Sequence, residues 1–180
     1  MTAAKVRKPV KKARADKSGR RKVSKDDGKA SVELLFKEIG KRMDALMGDD
    51  PGDAAEKYDY AGTIALLDQV LSIEPGHRNA LMYKGMMLMG LQQHEQALEC
   101  FNAIIRANPG DSEALNNKAI ALYGLGKANE AMAYVDKAIE IDKRYADALM
   151  NKAVMLYDAG NLEEARKFVA RANACDTIRR

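Results

Sequence analysis

The 180-residue chain contains no tryptophan, only three phenylalanines and four prolines, and only two histidines and two cysteines. Its two cysteines, Cys100 and Cys175, form no CxxC pair, which excludes a disulfide framework and suits a reducing cytoplasm. No apolar stretch approaches the length of a membrane span, and no apolar run follows the basic N-terminus as it would in a signal peptide. The sequence therefore predicts a cytoplasmic protein without a membrane role.

Motifs for catalysis or metal binding are also missing. The chain has no Walker loop, HExxH, dinucleotide fingerprint or Cys/His metal spacing. Both histidines, His77 and His94, fall in predicted turns. The acidic run at 49–56 lacks the spacing of a calcium loop. We predict no catalytic residue, no metal and no cofactor; an enzyme is the weakest alternative, because no acid–base or nucleophile arrangement is visible.

The chain does contain an internal repeat, with a period of about 34 residues. Residues 79–88, 113–122 and 147–156 start at equal intervals and read NALMYKGMML, EALNNKAIAL and DALMNKAVML. A fixed period of this size indicates a stack of similar units, each unable to bury its apolar face alone. Such stacks present long surfaces and seldom carry chemistry.

Each period contains two helical patterns joined by a polar turn. Apolar residues recur at helical spacing in 79–91 and again in 97–105, and Asn108-Pro109-Gly110-Asp111 ends the second pattern. Small residues recur at two places, where they predict close helix contacts: Gly85, Ala119 and Ala153, and Ala97, Ala131 and Ala165. A bulkier side chain there would overpack the contact by about 1–3 kcal/mol.

These residues resemble the tetratricopeptide repeat (TPR) family. Its pattern W-x2-L-G-x2-Y…A-x3-F…P aligns with Leu81-x2-Lys84-Gly85-x2-Leu88…Ala97-x3-Phe101…Pro109. The chain departs from the pattern at Lys84, Lys118 and Lys152, which replace a leucine, and at Val135 and Val169, which replace the phenylalanine. The resemblance implies an all-α solenoid of about four helix-turn-helix units that acts as a non-catalytic protein–protein interaction scaffold.

The repeats divide the chain into a tail and an array. In the first repeat Gly40 takes the small position, but Thr63 lies nearly twice as far along the chain from Gly40 as Ala97 does from Gly85. This difference predicts an insertion near 48–58. The predicted segments are a basic disordered tail at 1–30 and an array at 31–180 with repeats at 31–77, 78–111, 112–145 and 146–179.

The tail is strongly basic. Residues 1–29 hold 12 Lys or Arg against 3 Asp or Glu, a net charge of +9, whereas the remainder holds 18 against 23, a net charge of −5. Such a tail attracts phosphates through counterion release, and without aromatics it would bind nucleic acid only weakly and without sequence preference. The alternatives are a nucleic-acid- or ribosome-associated factor tethered by the tail, and a tail that only solubilises the chain. The residues assigned to an anionic partner are Lys11, Lys12, Arg14, Arg20, Arg21 and Lys22.

The TPR resemblance implies that the first helices line a concave groove for a partner peptide or helix. The groove positions in the second repeat are Asn79, Met82, Tyr83, Met86 and Met89. Those in the third and fourth repeats are Glu113, Asn116, Asn117, Ile120, Tyr123, Asp147, Met150, Asn151, Val154 and Tyr157. Met and Tyr supply deformable contact area, and an Asn amide can pair with a ligand backbone. The alternative for each Met is packing between helices.

The family's carboxylate clamp, which grips acidic chaperone tails, fits only at Asn117. We therefore expect the groove to accept a neutral or apolar segment. In the last repeat, Arg166 and Asn173 replace apolar residues of the earlier second helices. Terminal repeats need a polar outer face, so this substitution predicts a self-capped array and a monomer.

Overall fold

The computed structural model describes residues 25–44 and 59–177, which form eight α-helices and no strand. In chain order the helices are α1 (Lys25–Asp44), α2 (Tyr60–Ile73), α3 (Arg78–Gly90), α4 (His94–Ala107), α5 (Ser112–Gly124), α6 (Ala128–Ile141), α7 (Ala146–Asp158) and α8 (Leu162–Thr177). Each helix from α2 onward packs on its neighbours in the chain. The all-α helical stack predicted from the sequence is confirmed for these residues.

The first helix differs from the sequence expectation in two ways. It begins at Lys25, inside the predicted tail, because Val32 is buried against α2 and Gly28 approaches Ile73. The assignment of Gly40 to the close-contact position is wrong, since a Cβ there would meet no described atom within 4 Å. Ile39 is the buried residue instead. The tail residues assigned to an anionic partner and the insertion at 48–58 lie outside the described residues.

The turn inside each of the last three helix pairs contains one residue with a left-handed backbone. Gly126 and Gly160 adopt φ values of 73° and 80° at this place, in equivalent positions of consecutive repeats. Gln92 occupies the same place in the preceding pair with a φ of 60°. A residue with a Cβ is strained in this region by about 1–2 kcal/mol, whereas glycine is not. The first of the three turns is therefore the strained one.

The two helices of a pair make their closest contact at the predicted small position. A Cβ on Gly85 would lie 2.5 Å from Cε1 of Phe101, so only glycine fits under this ring. In the next pair Ala119 takes the place of Gly85 and Val135 that of Phe101, and both are fully buried. The smaller valine leaves space for the alanine methyl group, which explains why the two positions change together.

The lysines that depart from the TPR pattern join neighbouring pairs. Lys84 Nζ donates to Asp68 Oδ1 at 2.6 Å, and Lys118 Nζ donates to Asn102 Oδ1 at 2.6 Å. Lys152 makes the equivalent bond to Asp136. Each acceptor lies at the same distance along the chain from its lysine, on the second helix of the preceding pair. A leucine in place of the lysine would leave the Asp or Asn acceptor on the preceding pair without this donor.

A second bridge between pairs lies where α3 and α5 begin. Arg78 donates from Nε to Asp111 Oδ2 at 2.7 Å and from Nη2 to Glu113 Oε2 at 2.6 Å. Asp111 also caps α5 by accepting from the N–H of Ala114 at 2.9 Å. The hydrogen bonds from Arg78 and from the Ala114 backbone hold the pKa of Asp111 below its usual value against the opposing effect of burial.

The strained turn yields the first prediction. Replacing Gln92 with glycine relieves the left-handed strain and should raise the free energy of unfolding by about 0.5–1 kcal/mol. That gain corresponds to a melting temperature about 1–4 °C higher in calorimetry. The reciprocal control, Gly126→Gln, should lower stability by a similar amount. Equal stability of both variants and the wild type would contradict the assigned strain.

The paired sizes at Gly85 and Phe101 yield the second prediction. Gly85→Ala should destabilise the protein because overpacking costs about 1–3 kcal/mol, more than the helix propensity of about 1 kcal/mol that alanine adds. In a Phe101→Val background the same change should be neutral or stabilising. The double-mutant cycle, measured by urea unfolding, should show a favourable coupling of about 1–2 kcal/mol. Additive effects would contradict the contact.

The Arg78–Asp111 bridge yields a prediction about pH. Because the pKa of Asp111 is lower in the folded state, its carboxylate stabilises the fold above the unfolded-state pKa of about 3.9. That contribution is lost as the pH falls through the lower folded-state pKa. Urea unfolding should therefore show Asp111→Asn to be less stable than wild type at pH 7, by about 1 kcal/mol, because the charge-assisted bonds from Arg78 are lost, with the gap closing in acid.

Asp142→Asn provides the control for this pH experiment, since it removes an exposed carboxylate elsewhere on the array. Subtracting its effect corrects for the general loss of one negative charge. A stability gap between wild type and Asp111→Asn that stayed the same at pH 7 and in acid would show that the carboxylate does not act through its ionised form.

Candidate functional site

A concave groove runs across the first helices of the last three pairs, α3, α5 and α7. It encloses a cavity of about 370 Å³. The cavity is lined by Met86, Glu113, Asn116, Asn117, Ile120, Tyr145, Asp147, Met150 and Asn151. Side chains from three consecutive units therefore converge on one site, and the repeat period places them there because equivalent positions of stacked helices lie side by side.

Asparagines form the floor of this concave groove. Asn151 Nδ2 donates to Asn116 Oδ1 at 3.0 Å, which joins α7 to α5. Asn117 Nδ2 donates to the backbone oxygen of Glu113 at 2.9 Å and to the sulfur of Met82 at 3.5 Å. The donor groups of Asn117 and Asn151 are thus engaged within the protein. A ligand that binds here would meet an already ordered polar floor, which limits the entropy lost on binding.

One edge of the concave groove is acidic. Glu113 and Asp147 line the cavity at the beginnings of α5 and α7, and Arg78 pairs with Glu113. Tyr145 lies beside them, and its burial, followed by the nearby Asp147 and Glu113 carboxylates, raises its pKa to about 12. Tyr145 therefore contributes a neutral hydroxyl, and the edge carries a negative potential.

The structure separates the predicted groove residues into four groups. Met86, Asn116, Asn117, Ile120, Met150 and Asn151 line the cavity. Asn79 is exposed and accepts from Arg78 Nη1 at 3.2 Å. The residues that pack between helices instead are Met82, Tyr83, Met89 and Tyr123. Val154 and Tyr157 line a different groove, described below.

The prediction that Met82 faces a ligand is wrong. Its side chain is only 2% exposed and packs in the core with Phe101 and Ala114. A long side chain at this position reaches the interior, whereas the equivalent Asn116 holds polar partners at the groove floor. Tyr145 is the cavity residue that sequence reasoning missed. It occupies the helix-start position held by His77 and Asp111 in the earlier pairs, a place where a capping residue rather than a ligand contact is expected.

A second groove lies at the C-terminal end of the array, between α7 and α8. We call it the terminal groove. Its volume is about 510 Å³, and it is lined by Met150, Ala153, Val154, Tyr157, Leu162, Ala165, Arg166, Val169, Ala170 and Asn173. Tyr157 is 65% exposed and Val154 48%. The polar cap expected from the sequence is present at Arg166 and Asn173, which are both exposed, but apolar side chains surround it.

The described residues show neither a cluster of three or more potential metal ligands nor a helix of the length and apolarity that crossing a bilayer requires. The chemistry of the two grooves thus consists of amides, carboxylates, the phenols of Tyr145 and Tyr157, the guanidinium of Arg166 and apolar side chains. These groups suit reversible recognition of another surface.

Solved structures share this fold at low sequence identity. MamA 41-end from Desulfovibrio magneticus RS-1 matches with a TM-score of 0.61 and 18% identity, over 82% of this chain and 96% of that chain. The first TPR of Spaghetti (RPAP3), bound to the HSP90 peptide SRMEEVD, matches with a TM-score of 0.60 and 13% identity, over 73% of this chain and 94% of that chain. At these identities the likeness shows the fold alone. No curated protein matches the sequence.

Two family models for the tetratricopeptide repeat cover most of the array. One matches residues 49–111 and 84–146, and the other matches residues 122–177. These ranges include all three helix pairs from α3 to α8, together with the small positions and turns described above. The fold is one used for protein interaction, and the chain belongs to the tetratricopeptide repeat family.

Proposed function

We propose that the concave groove binds a neutral or apolar segment of a partner protein, extended or helical, and that the array acts as a non-catalytic scaffold. The observation that carries the proposal is the cavity of about 370 Å³ shared by α3, α5 and α7. A site built from three units binds along the array, so it suits a chain segment better than a compact small molecule.

Apolar contact in this cavity comes from Met86, Ile120 and Met150. Met86 is 38% exposed and Met150 39%, so both side chains are available to a ligand. Methionine adapts its shape to different apolar partners at little cost because its side chain is unbranched and flexible. The side-chain oxygens of Asn117 and Asn151 would accept from backbone N–H groups of the bound segment, because their amide nitrogens donate within the protein.

The charge of the concave groove selects against acidic segments. Glu113 and Asp147 line the cavity, and like charges brought together at an interface cost free energy. The RPAP3 structure holds a peptide with two glutamates and an aspartate. In this chain the same kind of peptide would meet carboxylates at the groove edge, which supports a neutral or apolar ligand instead.

The proposal can be tested by selecting peptides from a random display library on the full chain. We expect the enriched peptides to be rich in apolar residues and poor in Asp and Glu. Met86→Glu places a carboxylate in the cavity, and it should weaken the enriched peptides by at least about tenfold, or about 1.4 kcal/mol, in titration calorimetry. Met86 lines only the concave groove, so the terminal groove stays unchanged.

Ile141→Glu is the matched control, because it introduces the same charge at an apolar residue that is 50% exposed on α6 and lines neither groove. It should leave peptide affinity within about twofold of wild type, well under 1 kcal/mol. Enrichment of acidic peptides, or equal affinity of wild type and Met86→Glu for the selected peptides, would contradict the proposed site.

A further inference from the structure

The terminal groove continues the interface that holds the array together. At each internal junction the groove between the two helices of a pair is filled by the first helix of the next pair. Ala114 and Ala121 of α5 are buried with Phe101 of α4, and Ala148 and Leu149 of α7 are buried with residues of α5 and α6. The α7/α8 groove is the equivalent place in the last pair, and none of the described helices fills it.

Three substitutions distinguish the terminal groove from the internal ones. Arg166 stands where Leu98 and Met132 stand, and Asn173 where Ile105 and Ile139 stand. Ala170 stands where Asn102 and Asp136 accept from Lys118 and Lys152. Losing that acceptor removes the partner of the lysine that α3, α5 and α7 each carry. The terminal groove therefore suits a first helix that presents an apolar side chain instead.

The helix α1 at the opposite end of the array presents one exposed apolar side chain. It holds the place of a first helix, yet no pair precedes it among the described residues. Leu34 is 70% exposed, more than any other large apolar residue described. It lies two positions after buried Val32, a rotation of about 200° around the helix, so it points away from the core that α1 shares with α2.

We propose that copies of this chain associate head to tail, with the Leu34 face of α1 from one copy seated in the terminal groove of the next. The contact places a first helix on the preceding pair as α5 and α7 are placed within the array, so the stack continues in the same direction. It buries Leu34 against Val154 and Tyr157. Because the two surfaces differ, the contact is heterologous and does not close on itself. This proposal replaces the monomer expected from the sequence, and it is independent of the peptide site in the concave groove.

Sedimentation velocity of the full chain over a concentration series tests the proposal. The wild type should show a sedimentation coefficient that rises with concentration beyond the value of a dimer. Leu34→Glu and Val154→Glu should each sediment as monomers, since each destroys one end of the contact. Both side chains are exposed, and circular dichroism should confirm that both variants fold like the wild type.

An equimolar mixture of the two variants separates this contact from other modes of association. Leu34→Glu keeps a working groove and Val154→Glu keeps a working Leu34 face, so the mixture should form dimers and nothing larger. A wild type that stays monomeric up to about 100 µM would overturn the proposal, because a dissociation constant above that concentration is too weak to matter. Self-association of Leu34→Glu by itself would also overturn the proposal, because it indicates groove-to-groove pairing. A mixture of the two variants that stays monomeric would overturn it as well.

Discussion

Gly85 and Phe101 meet where the two helices of a pair cross, and this close contact sets the geometry that the rest of the array uses. The equivalent pairs, Ala119 with Val135 and Ala153 with Val169, keep the combined volume similar while the individual residues change. Because protein interiors are close-packed, they tolerate little change in the combined volume of such a pair. Since each of these three pairs then presents a similar groove, one contact repeated in the last three units supports a continuous stack.

Polar contacts between pairs then fix how each unit sits on the one before it. The Lys84–Asp68 type of bond recurs at every junction, and the Arg78–Asp111 bridge ties the start of α3 to the cap of α5. Apolar burial holds the units together without strong directionality, whereas these bonds require particular distances. The alignment of α3, α5 and α7 that creates the concave groove depends on both kinds of contact.

The sequence predicts the helix pairs, the small positions and the family because these features repeat with the period. It predicts the packing of the first helix poorly. The helix α1 has one neighbouring pair instead of two, and its buried residue is Ile39 rather than Gly40, which the repeat spacing indicated. Within the site, the period identifies which positions are equivalent but not what their side chains contact. Met82 and Asn116 occupy the same position and are both buried, yet one packs in the core and the other lies at the groove floor. That distinction depends on side-chain polarity and on neighbours from another repeat, since Asn116 accepts from Asn151.

The two grooves arise from the same architecture and differ because their neighbours differ. The concave groove lies across three first helices, so its floor is already ordered and its surface mixes amides, carboxylates and methionines. The terminal groove lies on the face of the last pair where a further first helix would pack. Its apolar side chains stay uncovered because none of the described helices packs on α7 and α8 there. Such an array has two unlike ends, the terminal groove on α7 and α8 and the exposed Leu34 on α1. In the proposed head-to-tail contact, each of these two surfaces would cover the other in a neighbouring copy, as the first helix of each unit covers the preceding pair inside the array.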